Sequence, residues 1–166
     1  MKVDNYKMPR KLYIAHRIID RKYVKELCFK LQRIGIETLN PFYNSDGSWK
    51  EDRPEIKKID EGKLDPYYIR TRKKAVQIVT GDLQLIQEAD GVIAYISQAS
   101  LGTAMECFFC SWILHKPLFV ISEKYFKHAW IMTLATERFK NEEQFIRWYK
   151  RKYRSKIKSL ENEEEK

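Results

Sequence analysis

Apolar residues follow two rhythms along this chain. Short apolar stretches at 11–16 (K-L-Y-I-A-H), 36–39 (I-E-T-L), 91–96 (G-V-I-A-Y-I) and 117–122 (P-L-F-V-I-S) have the length and composition of buried strands, and 135–139 reads as a last short one. Between them the spacing turns helical. From Asp20 to Arg33 the positions Tyr23, Val24, Leu27, Cys28, Leu31 and Ile34 share one stripe, which Gly35 ends. The stretch 102–115 is apolar almost all round and predicts a central helix, and Phe145, Trp148, Tyr149 and Lys152 recur at helical spacing near the end of the chain. Pro66 predicts a helix opening there and reaching at least Lys74, with Asp82 as the N-cap of a separate helix, L-Q-L-I-Q-E-A. The segment N-P-F-Y-N-S-D-G-S-W after the second strand is a loop, and 50–65 has too weak a periodicity to predict an element.

Strands alternating with helical crossovers long enough for parallel pairing predict an α/β fold, a doubly wound parallel sheet of about five strands. There is no internal repeat and no linker. One domain over 1–153 is expected, with 154–166 as a charged C-terminal tail.

At 166 residues and 43% hydrophobic content the chain can bury a core without disulfides or structural metals, which excludes disordered, collagenous and disulfide-scaffold classes. The sequence has no apolar run of membrane-spanning length, and 1–10 lacks a signal-peptide core, so a soluble cytoplasmic protein is expected. Cys107 and Cys110 spell C-F-F-C, but no further ligand pair has matching spacing, so they read as buried residues of an aromatic-rich helix.

The formal net charge is +9 and is unevenly placed: 140–158 carries eight Lys/Arg against Glu142 and Glu143. With Phe145, Trp148, Tyr149 and Lys152 on the docked stripe, Arg147, Lys150, Arg151 and Arg154 point to water. That face is a solvated terminal helix or an electrostatic footprint for nucleic acid or another polyanion; no nucleic-acid motif accompanies it.

In doubly wound sheets ligands bind beyond the carboxyl ends of the strands. Those ends are polar here: His16 and Arg17, Asn40 to Asp46, Ser97 to Gly102, Ser122 and Glu123. Neither G-x-G-x-x-G nor G-x-x-x-x-G-K-[ST] occurs, which argues against dinucleotide oxidoreductases and P-loop NTPases. The loop Ser97-Gln98-Ala99-Ser100-Leu101-Gly102-Thr103 leads from a buried strand into a helix, where backbone N–H groups and hydroxyls can hold an anion or where Ser100 or Thr103 simply caps the helix. Glu106 is the one carboxylate or basic side chain between Gly91 and Leu114. If helix-end and hydrogen-bond effects outweigh desolvation it stays ionised, a nucleophile or cation stabiliser; otherwise it reaches solvent or meets a structural Arg. Glycosidic cleavage through an oxocarbenium-like transition state pairs such a carboxylate with an acid at the leaving group, and Asp82 and Asp90 are the candidates, against cap and turn roles.

The ordered segments L-Y-I-A, P-F-Y-N, D-L-Q-L-I-Q-E-A-D-G-V-I-A and S-L-G-T-A-M-E resemble the nucleoside 2-deoxyribosyltransferase superfamily over roughly 11–149. The most specific feature is D-x-x-x-I-x-x-A-D followed, across the central strand, by S-x-G-T-x-x-E. The resemblance implies a flavodoxin- or Rossmann-like sheet, a homo-oligomer and cleavage of the N-glycosidic bond of a nucleoside or nucleotide with no metal or organic cofactor. It assigns Glu106 as nucleophile, Asp82 as the carboxylate that holds or protonates the departing base, and Tyr13 as the residue that orients Glu106 or crowds the sugar. Asn44 falls in the base-contacting loop, with Phe42 as a stacking surface. Where transferases of free nucleosides carry an acid for the 5′-hydroxyl, this chain has Ser100, which resembles the branch that cleaves nucleoside 5′-monophosphates; Ser100, Gly102 and Arg17 would clamp the phosphate. The loop His16-Arg17-Ile18-Ile19 lacks that branch's glycines. Trp130 lies where relatives reach a neighbouring subunit's site, or covers its own core; His16 reads as a hydrogen-bonded spectator.

The expected function is therefore hydrolysis, or transfer to a second base, of a nucleoside 5′-monophosphate through a glycosyl-Glu106 intermediate. The alternatives are a deoxyribosyltransferase acting on free nucleosides, a non-catalytic nucleotide sensor, and a nucleic-acid-associated protein using the terminal helix.

Overall fold

The structure, a computed structural model, describes residues 8–164, with side chains from 8 to 153. Its framework is a five-stranded, all-parallel sheet in the order β2-β1-β3-β4-β5, formed by β1 (Lys11–Ala15), β2 (Glu37–Leu39), β3 (Gly91–Tyr95), β4 (Leu118–Ile121) and β5 (Glu137–Phe139). The order reverses between β1 and β3, which puts the switch point where His16 and Ser97 leave the sheet.

The helices are α1 (Arg21–Gln32), α2 (Pro54–Asp60), α3 (Arg72–Glu88), α4 (Leu101–Phe108), α5 (Ala129–Leu134) and α6 (Glu142–Glu164). Alternate residues of each strand serve opposite layers, as the period of two requires. Leu12, Ile14, Ile93, Phe119 and Ile121 pack with α1 and with Phe145 and Tyr149 of α6. Tyr13, Ala15, Val92, Ala94 and Val120 pack with Ile86 of α3, Cys107 of α4, and Ile131 and Leu134 of α5. Gly91 is required by close approach: a Cβ there would lie 2.6 Å from the Pro117 carbonyl oxygen. Gly35, at φ +84°, turns the chain out of α1 in the left-handed conformation that glycine tolerates best.

The sequence expectations differ from this architecture in four places. The segment with no readable periodicity contains α2, which Pro54 opens at a first-turn position and which buries Ile56 and Ile59. No helix begins at Pro66; α3 starts at Arg72, where the Thr71 hydroxyl accepts from the Lys74 N–H. Asp82 is therefore not an N-cap but an interior residue of one 17-residue helix. A mid-helix glycine such as Gly81 costs about 1 kcal/mol in propensity, and the packing of Leu83, Leu85 and Ile86 on the sheet overrides it. The central helix ends as an α-helix at Phe108 and continues as a π-helical turn over Phe109–Ile113. At the C-terminus, α6 carries helix through 164, across most of the stretch expected as a tail; Arg154 lies beyond the described side chains, and Lys152 is exposed while Tyr153 stacks on Tyr149.

Candidate active site

Four elements converge beside the switch point. Glu106, on the second turn of α4, is partly exposed as a residue, yet its carboxyl is turned inward: the Tyr13 hydroxyl of β1 donates to its Oε1 at 2.9 Å. Tyr13 itself is completely buried. Burial pushes the Glu106 carboxyl up to about 8, the negative charge of Asp82 adds to this, and the Tyr13 hydrogen bond and the Arg53 charge only partly oppose it. Desolvation thus outweighs the lowering effects the sequence left open, and at neutral pH Glu106 holds a proton.

Asp82, on α3, feels the same environment. Burial raises its carboxyl to about 6 against the opposing charges of Arg53 and Lys50. Arg53 Nη1 approaches Asp82 Oδ1 at 3.4 Å, while its Nε donates to Glu55 Oε1 at 2.7 Å. Lys74 Nζ lies 3.3 Å from the other Glu55 oxygen, so a chain of alternating charge runs Lys74, Glu55, Arg53, Asp82. Arg53 is 6% exposed and stacks over Phe42 at 5.1 Å. Sequence reasoning missed Arg53 because a charged residue in a weakly periodic stretch reads as solvated; the one available signal was its place directly before a helix-opening proline.

Beside Asp82 a cavity of about 490 Å³ opens, lined by Lys50, Arg53, Gln77, Gly81 and Gln84. A Cβ at Gly81 would meet nothing within 4 Å, so the glycine widens that space. Phe42 is buried edge-on against His16 at 5.0 Å and presents no open stacking surface. Asn44 is exposed and stitches its own loop, donating to Ser48 Oγ and to the Trp49 carbonyl. That loop is held against α2 by Asp60, which accepts from Arg21, Tyr43 and Trp49.

At the start of α4, Ser100 occupies the N-cap position without using its side chain as a cap. Gly102 is exposed, with nothing within 4 Å of where a Cβ would sit. Thr103 is 3% exposed, and its hydroxyl has no hydrogen-bond partner among the described residues. Arg17 is engaged elsewhere: its Nε donates to Asp20 at 3.0 Å and its Nη2 to Ser97 Oγ at 2.9 Å, and Ser97 in turn donates to Asp20. His16 donates from Nδ1 to the Ile14 carbonyl, its Nε2 is buried without a partner among the described residues, and burial lowers its basicity to about 4, leaving a neutral imidazole.

Asp90 does not join this group. It precedes β3, and its Oδ2 accepts from the N–H groups of Arg10 and Lys11, tying the amino ends of β1 and β3 together at the opposite edge of the sheet. Cys107 and Cys110 are buried free thiols whose ionisation burial disfavours. Among the described residues no three His, Cys, Asp or Glu side chains are grouped to hold a metal ion, and no helix is long and apolar enough to cross a membrane.

Trp130 is exposed, and with Leu101 and Met105 it rims an apolar cavity of about 580 Å³ between α4 and α5, on whose wall Ser100 and Thr103 also lie.

No family model and no curated protein matches the chain. Among solved structures it is similar to a 2-deoxyribosyltransferase from the psychrotolerant bacterium Bacillus psychrosaccharolyticus, with 19% identity over 81% of this chain and 89% of that one, at a TM-score of 0.55. The five-stranded parallel sheet and its flanking helices are thus those of the 2-deoxyribosyltransferase fold.

Proposed function

We propose that the protein cleaves the N-glycosidic bond of a nucleoside 5′-monophosphate through a covalent glycosyl-Glu106 intermediate. The observation that carries this reading is the inward-facing Glu106 carboxyl, hydrogen-bonded to Tyr13 and electrostatically coupled to Asp82. Two carboxyls whose environments hold one proton between them around neutral pH are what this chemistry uses. In the reacting arrangement the proton sits on Asp82 and the charge on Glu106, next to the positive charge developing on the sugar.

As the C1′–N bond breaks, its electron pair stays with the base nitrogen and the Asp82 proton neutralises the base. Glu106 oxygen bonds to C1′, giving a glycosyl ester. Water, losing a proton to Asp82, then attacks C1′, and the ester electron pair returns to Glu106. A second base in place of water gives transfer. Neither half requires a metal or an organic cofactor.

The 5′-phosphate reading is supported by the start of α4. The uncapped Ser100 hydroxyl, the open side of Gly102, the unpartnered Thr103 hydroxyl and the first-turn N–H groups together suit an anion. Arg17 adds less than its charge suggests, because Asp20 already neutralises it. Incubating the protein with ribo- and deoxyribonucleosides and their 5′-monophosphates should release free base from a monophosphate, and Glu106→Ala should lower that rate by about 10³-fold or more. Binding without base release, unchanged in the variant, would instead make the protein a nucleotide sensor.

A second copy of the chain is the proposed cover for the apolar rim of Leu101, Met105 and Trp130, since exposed clusters of large apolar residues beside a site mark interfaces. Light scattering should show an oligomer that Trp130→Glu dissociates to monomers, with base release falling in parallel; a monomeric parent protein would remove this part of the reading.

A further inference from the structure

The opposite face of the sheet carries a separate feature. Phe145 and Tyr149 anchor α6 in the core layer that contains α1, whereas Glu106 and Tyr13 belong to the layer with α3, α4 and α5. Between α6 and the edge strand β5 runs a groove of about 680 Å³, lined by Phe139, Gln144, Arg147, Trp148, Lys150 and Arg151. Arg147, Lys150 and Arg151 are exposed, and none forms an ion pair among the described residues. Of the two acids that open α6, Glu142 is taken up by Lys30 and Tyr23 on the α1 side, and Glu143 is exposed one turn before Arg147.

We propose that this groove is a binding site for single-stranded nucleic acid. Arg147 and Arg151 stand one helical turn apart, about 6 Å along the axis, so their guanidinium groups can meet successive phosphates of one strand while Lys150 adds a third contact. Trp148 supplies what a purely ionic surface lacks. It is half-buried, held by Phe119 at 5.3 Å, Phe139 at 5.4 Å and Phe145 at 5.9 Å, so the ring bordering the groove is fixed in place before any ligand arrives. Cations tracking a backbone beside a rigid aromatic platform are the ingredients of sequence-tolerant single-strand binding. A duplex hides its base faces from such a platform, and an acidic peptide matches the charge but offers no rings to stack. Phe139 of the edge strand β5 lines the groove on its other side.

The test is fluorescence anisotropy of a labelled short oligodeoxythymidine titrated with the full-length protein. Three phosphate contacts to a single strand predict an affinity that falls about twentyfold between about 50 and about 200 mM salt. The variant R147Q/K150Q/R151Q, whose changes are all on exposed positions, should lose at least about tenfold in affinity with an unaltered circular dichroism spectrum. Strand binding should also quench tryptophan emission in the parent protein but not in Trp148→Phe, which keeps a ring in the aromatic cluster. Base release from mononucleotides should be unchanged in the triple variant, which separates this site from the Glu106 site. The proposal is overturned by absence of binding at low salt, by binding that survives the triple substitution, or by a duplex or oligoglutamate that binds as tightly as the strand.

Discussion

Replacing Glu106 by glutamine should raise the stability of the protein above pH 8 while abolishing base release. The sign follows from where the proton sits. Glu106 in the fold gives it up only at about 8, against an ordinary glutamate value of 4.5 in the unfolded chain. Between those values the folded state binds more protons than the unfolded state, so stability falls as pH rises through the window. The stabilisation is complete below about pH 4.5 and gone above about pH 8. The loss amounts to a few kcal/mol, since each unit of difference is about 1.4 kcal/mol. Glutamine keeps an acceptor for the Tyr13 hydroxyl and carries no ionisable proton, so the variant escapes the penalty. Thermal melts across pH 4 to 9, read by circular dichroism, should show parent and variant converging at the acid end and separating by several degrees at the alkaline end. Parallel melting curves at all pH values would show that Glu106 is well solvated, and the nucleophile assignment would lose its physical basis. Glutamine cannot form the glycosyl ester, so rate and stability move in opposite directions, as expected where a site holds a strained ionisation for function.

This opposition also explains which parts of the molecule could be read from the chain. The strands were legible because a fully buried parallel sheet needs short apolar runs, and β1, β3 and β4 are nothing else. Glu106 stood out for the same reason: in a stretch committed to the core, one charge is conspicuous. Its ionisation was not legible, because the balance depends on how closely Asp82, Arg53 and Tyr13 approach from three other elements. Asp82 looked like a cap because an Asp directly before L-Q-L-I-Q-E-A is a local helix-start pattern, and only packing of α3 on the sheet shows that the helix runs through it. Arg53 and Glu55 were hidden by the converse rule, since charged residues are almost never fully buried unless paired and the partners are distant in sequence. The resemblance alone implied ligand contacts for Phe42 and Asn44; in the structure their side chains meet His16, Arg53, Ser48 and Trp49.

Substitution of Arg53 should have the second large effect, and it separates holding the fold from setting the proton. Arg53→Met leaves Glu55 and Asp82 buried without their shared cation, and breaking a buried pair in this way costs about 3–5 kcal/mol. Part of the cost is recoverable at acid pH, because Asp82, whose value is already raised to about 6, moves higher still and takes up a proton. The variant should therefore be most destabilised at alkaline pH and less so near pH 5, as measured by urea denaturation at the two values. Arg53→Lys keeps the charge but not the fork that reaches Glu55 and Asp82 together, and should recover only part of the stability. The proton balance has its own signature. With Asp82 and Glu106 at about 6 and 8, the pair carries one proton between those values, and base release should follow a bell with limbs there. In Arg53→Lys the acid limb should move up and the bell narrow, with the alkaline limb displaced less, because Arg53 acts on Asp82 through direct contact and on Glu106 only through its charge. A role in folding alone would lower the whole bell without moving either limb, and that result would remove Arg53 from the control of the leaving group.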